Sequence, residues 1–102
     1  MSDLRGTATS AGIRPQLEFV AEVLVFLKPG VNDPEGLAIR AGLHSLGYDG
    51  VTGVRTGKYL RVVIRAEDAA QAGRRVAEMC DTLLSNPVIE HYRISLSESP
   101  ER

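Results

Sequence analysis

The sequence lacks the features that mark secreted, membrane-bound and nucleic-acid-binding proteins. Its 102 residues include a single cysteine, Cys80, which excludes an internal disulfide and a disulfide-stapled secreted scaffold. No apolar run approaches the roughly 20 residues that cross a bilayer, and residues 1–16 lack the apolar stretch of a signal peptide. The formal net charge of -1 gives no basic excess for a nucleic-acid partner. These absences predict a reducing, cytoplasmic setting.

Residues that carry enzymatic chemistry are also scarce. His44 and His91 are too few for a zinc site with Cys80, and no C-x-x-C or H-x-x-x-H spacing exists. Residues 53–58 look like a phosphate loop, but the string is one residue too short, and Tyr59 replaces the Ser or Thr that would meet magnesium. Cys80 falls in the apolar stripe of a predicted helix, as a small core residue does. We therefore predict no catalytic residue, no metal site and no cofactor bound by this chain.

Hydrophobic periodicity predicts four strands and two helices. Apolar residues at every second position predict strands over residues 17–27, 51–55, 59–65 and 88–96. A tight turn at Thr56-Gly57-Lys58 joins the two middle strands into a hairpin. The residues that mark helix starts and stops are Asp33, Pro34, Gly47, Asp68, Gln71, Asn86 and Pro87.

This order of elements predicts a ferredoxin-like βαββαβ fold. It is an α+β two-layer sandwich, in which an antiparallel sheet carries two helices on one face. We assign residues 17–96 to this domain. The small, polar residues 1–16 cannot bury enough apolar area to order themselves, so they predict a disordered N-terminal extension. Residues 97–102 predict a flexible C-terminal tail.

The uncovered face of the predicted sheet carries more apolar residues than a monomer needs. Two helices cover one face of a four-stranded sheet, so the other face of a monomer should be polar. Here an apolar centre lies within a charged rim, which is typical of an interface. We therefore expect self-association through the sheet, with contacts from Val20, Leu24, Phe26, Val63 and Ile89.

Four strings, in order and at matching spacing, resemble one family. They are VFLKPGVNDPEG at residues 25–36, AGLHSLGY at 41–48, VRTGKYLRVVI at 54–64 and EMCDTLLSNPVIEHYRI at 78–94. They resemble the PurS family, the small subunits of phosphoribosylformylglycinamidine (FGAM) synthase. Gly42 departs from the family's pattern in the second string. The resemblance covers residues 17–96.

The resemblance implies a non-catalytic assembly subunit in purine biosynthesis. The enzyme makes FGAM from formylglycinamide ribonucleotide, glutamine and ATP, and PurS bridges a large subunit, PurL, and a glutaminase, PurQ. In this picture ATP and Mg²⁺ are used by the complex, and PurS supports ammonia transfer. The free chain is a homodimer or a homotetramer. The residues that match family motifs at turns are the contact candidates: Arg55, Gly57, Lys58, Tyr59, Asn86 and Glu90.

Two other functions suit the predicted fold. The first is a small-molecule-sensing regulatory domain, for which the glycine-containing loop at residues 28–30 is a weak signal. The second is a hydrolase of the acylphosphatase kind, which needs an arginine in the first loop. Residues 28–33 contain no arginine, so the sequence disfavours this chemistry.

Overall fold

The computed structural model describes residues 16–99, which form a three-stranded antiparallel sheet and two helices. In chain order the elements are β1 (Leu17–Leu27), α1 (Pro34–Ser45), β2 (Gly57–Ala66), α2 (Ala69–Met79) and β3 (Glu90–Glu98). A π-helical turn, Cys80–Leu84, continues α2. The sheet order is β2-β1-β3, so β1 is central. The predictions for residues 1–15 and 100–102 lie outside the described residues.

One face of β1 forms the centre of the core. Ala21 and Val23 are fully buried, and Val25 is buried beside them. They pack with Val76 of α2 and with Cys80, so the prediction that Cys80 is a core residue is confirmed. The neighbouring strands close the core with the inward rows that period two predicts: Leu60, Val62, Ile64, Tyr92, Ile94 and Leu96. The α+β architecture predicted from the sequence is confirmed.

The two helices contribute unequally to this core. α2 contacts all three strands. In α1 the buried residue is Gly36, whereas Ile39 and the C-cap Leu46 are 41% and 75% exposed. Within a single chain, α2 therefore forms most of the helical layer.

The segment at residues 51–55, predicted as a strand, forms no strand. Gly50 precedes it and Gly53 interrupts it, and glycine is unfavourable in a strand because it has no side chain to pack. The Val51 carbonyl faces the ring of His44 instead of a neighbouring strand, with Nε2 2.7 Å from the oxygen. The sheet consequently has three strands where the sequence predicted four.

The predicted turn at Thr56-Gly57-Lys58 is also wrong, because β2 already begins at Gly57. Gly57 pairs with Phe26 of β1. A Cβ at Gly57 would lie 2.6 Å from the Val25 carbonyl oxygen, so this position needs glycine for close approach of two backbones and not for a turn.

The last strand lies later in the chain than predicted. The backbone amide of Glu90 donates to the Asn86 carbonyl at 2.8 Å, which makes residues 86–89 a turn. β3 then continues to Glu98, and Ser97, which we assigned to a flexible tail, pairs with Val20 of β1.

The predicted helix caps are confirmed. The Gly36 amide donates to Asp33 Oδ1 at 2.9 Å, and the Gln71 amide donates to Asp68 Oδ1 at 2.8 Å. Gly47 has φ +97°, the left-handed conformation that ends a helix.

Gly36→Ala should destabilise the domain, because the added Cβ would collide with the Val54 carbonyl oxygen. Such overpacking lowers the free energy of unfolding by about 1–3 kcal/mol. Gly42→Ala is the matched control in the same helix, since nothing lies within 4 Å of its Cβ position. Helix propensity should raise its stability by about 0.5–1 kcal/mol. Urea unfolding followed by circular dichroism compares the two, and unchanged stability in G36A would contradict the close approach.

Candidate functional site

One end of the sheet brings three chain segments together. Because β1 is antiparallel to both neighbours, its C-terminal end meets the first residues of β2 and β3. Phe26 pairs with Gly57 and His91, and Leu27 pairs with Glu90. We term this region, residues 26–30, 54–59 and 85–91, the loop end. It contains every predicted contact residue: Arg55, Gly57, Lys58, Tyr59, Asn86 and Glu90.

Two open cavities lie beside the start of β2. One, of ≈ 340 Å³, has Glu35, Lys58 and Glu90 in its lining. The other, of ≈ 310 Å³, has Arg55, Lys58 and Tyr59. Lys58 therefore lines both cavities, one that contains acidic side chains and one that contains basic and aromatic side chains. Open cavities with such mixed lining suit the side chains of a protein partner better than an enclosed small substrate.

The carboxylate of Asp33 connects the N-terminus of α1 to the segment that enters β2. Besides the Gly36 amide, it accepts a hydrogen bond from the Thr56 amide at 2.7 Å on Oδ2 and from the Thr56 hydroxyl at 2.9 Å on Oδ1. Asp33 is only 4% exposed. The Thr56 amide and then the Gly36 amide lower the pKa of Asp33 below its ordinary value, although burial opposes them.

The contact candidates around β2 differ in what their side chains do. Arg55 Nη2 donates to the Lys28 carbonyl at 3.2 Å, which ties two segments of the loop end together. Lys58 is exposed, and Tyr59 is 57% exposed. Burial, and then the charge and hydrogen bond of Glu22, raise the pKa of the Tyr59 hydroxyl. Lys58 and Tyr59 are thus the candidates most available to a partner.

Asn86 and Glu90 shape the loop before β3. Glu90 Oε1 accepts from the Asn86 amide at 2.7 Å, and Asn86 Oδ1 accepts from the Val88 amide at 3.1 Å. The Ile89 carbonyl accepts from the Lys28 amide at 2.8 Å. These bonds fix the loop on the end of β1 and leave Val88, 78% exposed, on its surface.

The open face of the sheet carries an aromatic and cationic cluster beside exposed apolar residues. The Arg93 guanidinium carbon lies 5.2 Å from the Phe26 ring centroid, and the His91 ring lies 5.9 Å from Phe26. Leu24 and Val63 are 43% and 50% exposed. The predicted self-association surface therefore offers apolar area bordered by positive charge.

Val20 is the exception among the predicted self-association residues. It is 5% exposed, and it pairs with Val63 of β2 and Ser97 of β3. It offers a second chain less surface than Leu24 and Val63 do, whereas Ile89 at the loop end is 37% exposed.

The described part of the chain holds no group of three or more His, Cys, Asp or Glu residues that could bind a metal ion. Over residues 16–99, neither helix is long and apolar enough to cross a membrane.

Residues 20–98 match the family model of PurS, described as phosphoribosylformylglycinamidine (FGAM) synthase. The chain belongs to the PurS family. A PurS subunit of FGAM synthase from Synechocystis sp. is 45% identical over 82 residues, which cover 78% of this chain and 82% of that relative. The family resemblance seen in the sequence motifs is confirmed.

Solved PurS structures share the fold. The crystal structure of PurS from Methanocaldococcus jannaschii, described as one of the subunits of formylglycinamide ribonucleotide amidotransferase, superimposes with a TM-score of 0.73 at 37% identity. It covers 79% of this chain and 98% of that one. A chain in the structure of PurLQS from Thermotoga maritima gives a TM-score of 0.70 at 30% identity, covering 80% and 98%. The predicted ferredoxin-like class is confirmed by these neighbours.

Sequence reasoning recognised Asp33 only as a helix cap. Its bonds to Thr56 join residues 23 positions apart, so no local pattern reveals them. Gly36 was a signal of this contact in the sequence, since a glycine in the first turn of a helix lowers stability unless a close neighbour leaves no room for a side chain. That neighbour is the backbone of Val54, which approaches Gly36 too closely for a Cβ.

Asp33→Asn should change how stability depends on pH. Because the pKa of Asp33 is lowered on folding from 3.8, its ionised form stabilises the native state above that value. This stabilisation is lost as the pH falls through the lower, folded-state value. The variant should therefore be less stable at pH 7 and lose less stability on acidification. Thermal unfolding between pH 7 and pH 2 measures this, and parallel curves for variant and wild type would contradict it.

Proposed function

We propose that the chain acts as the non-catalytic assembly subunit of FGAM synthase in purine biosynthesis, bridging the large subunit PurL and the glutaminase PurQ. The observation that supports this most is the likeness to a chain of the PurLQS structure, which covers 80% of this chain. The relatives it matches are themselves FGAM synthase subunits.

The loop end supports a contact role. It presents an exposed Lys58 and Tyr59 on a backbone that Gly57 holds close to β1. Tyrosine and a nearby cation are typical of residues that dominate protein interfaces. Asn86 and Glu90 contribute by fixing the neighbouring loop, and Arg55 does so by binding the Lys28 carbonyl.

The assembled enzyme needs what such a subunit can provide. Glutamine hydrolysis releases ammonia, which stays a good nucleophile only while it is neutral and shielded from water. A small subunit held between the two active sites closes the route between them. In this proposal ATP and Mg²⁺ are used by the other subunits of the complex.

The open face supports self-association. Its exposed apolar residues, Leu24 and Val63, lie on adjacent strands near Phe26 and Arg93. A second copy placed on this face would bury them. Either a homodimer or a homotetramer satisfies this requirement.

The sensor and hydrolase alternatives are not favoured. Residues 20–98, which would form the sensor domain, match a family of FGAM synthase subunits instead. The first loop, at residues 28–33, has no arginine to cradle a phosphate.

Lys58→Glu should weaken assembly without unfolding the domain. Lys58 borders both cavities, so a partner surface that binds there would be complementary to its positive charge. A negative charge at this position would be repelled by that surface, which typically lowers the affinity about tenfold. Arg74→Glu on the exposed side of α2 is the matched control. Reconstitution with the cognate PurL and PurQ, followed by glutamine-dependent FGAM formation and co-elution, measures both. Full assembly of K58E would remove Lys58 from the contact surface.

Leu24→Glu should shift the free chain toward the monomer, because it places a charge in the apolar part of the open face. Leu83→Glu, at an 81% exposed position on the π-helical turn, is the control. Sedimentation equilibrium gives the mass of each. Retention of the wild-type mass by L24E would exclude the sheet as the self-association surface.

A further inference from the structure

α1 has little apolar packing to fix its position. Gly36 is its buried residue. Leu37 and Ile39 are 57% and 41% exposed, and α2 is the helix that packs across the three strands. Something other than a hydrophobic core must therefore define how α1 lies against the rest of the domain.

Hydrogen bonds supply this attachment, and Asp33 is at their centre. Its carboxylate accepts from Gly36 at the start of α1 and from both the amide and the hydroxyl of Thr56. Bonds to a carboxylate are about twice as strong as neutral ones, and a carboxylate this well buried would be costly without them. The close approach of Gly36 to the Val54 carbonyl keeps the two segments in contact.

The Thr56 side of this link leads directly into the contact surface. Thr56 immediately precedes Gly57, the first residue of β2, and then Lys58 and Tyr59 follow. The Thr56 amide is held by Asp33 Oδ2 at 2.7 Å. Fixing that amide fixes the direction in which the chain enters β2 and therefore where Lys58 projects.

We infer that Asp33 is a positioning residue for subunit assembly: through Thr56 it locks α1 to the start of β2 and sets the orientation of Lys58 and Tyr59. The inference rests on the proposed function. It predicts that breaking the bonds between Asp33 and Thr56 loosens both α1 and residues 51–56, while the strands of the sheet keep their structure.

Asp68 provides a matched comparison within the same chain. It caps α2 as Asp33 caps α1, accepting a hydrogen bond from the Gln71 amide at 2.8 Å, but it is exposed and this bond stays within its own helix. Removing either carboxylate costs one helix cap. Only the loss of Asp33 also breaks a connection between two segments.

The test combines amide hydrogen exchange on the full chain with titration of the cognate PurL and PurQ subunits. In Asp33→Asn one carboxylate oxygen is replaced by an NH₂ group, which cannot accept a hydrogen bond. Amide exchange should therefore become faster in α1 and in residues 51–56, while β1 and β3 stay protected. The affinity of this variant for the subunits should fall about tenfold, as expected for losing a charged hydrogen bond. Thr56→Ser keeps the hydroxyl and should bind the subunits as the wild type does. Thr56→Val should have an affinity between those of the wild type and Asp33→Asn. Asp68→Asn should keep the wild-type affinity.

Two results would overturn the inference. One is an equal loss of protection in the sheet and in α1, which would mean that Asp33 only stabilises the whole domain. The other is unchanged subunit affinity in an Asp33→Asn chain whose α1 has lost protection. If the unaltered chain bound neither subunit, the proposed function would fail, while the exchange comparison would still decide whether Asp33 fixes α1.

Discussion

β1 is paired along its length with both other strands, and the rest of the domain depends on this pairing. Its buried row, Ala21, Val23 and Val25, packs on α2 and Cys80. Burying apolar side chains from a central strand is the main stabilising contribution available to so short a chain. Because both neighbours are antiparallel to β1, the same pairing collects the starts of β2 and β3 at one end. The position of the candidate contact site is thus a consequence of sheet topology.

The two faces of the sheet serve different purposes. The covered face is closed by α2, whereas the open face leaves Leu24 and Val63 exposed next to the stacked pair of Phe26 and Arg93. A small domain with one closed face has a limited stability margin. Covering the open face with a second copy or a larger subunit would add buried apolar area, which fits a protein that works within a complex.

α1 is held differently from α2. A buried carboxylate replaces the apolar face that fixes an ordinary surface helix, and Asp33 bonds to Gly36 and Thr56 through directional contacts. Directional bonds set a geometry more narrowly than apolar packing does, which suits a segment that leads to a contact surface. Because these hydrogen bonds hold α1 in place, Leu37 and Ile39 are exposed without any loss of packing in the core.

The sequence by itself determined the strand of residues 17–27, both helix starts, the burial of Cys80 and the family, because period-two patterns, caps and ordered motifs are local signals. Tertiary structure decided the rest. Residues 51–55 form no strand, and the Val51 carbonyl lies against the His44 side chain of α1 instead. Gly57 belongs to a strand because β1 approaches it. The link from Asp33 to Thr56 and the burial of Val20 depend on contacts between distant segments. A pattern read along one segment contains no information about which other segment will lie against it.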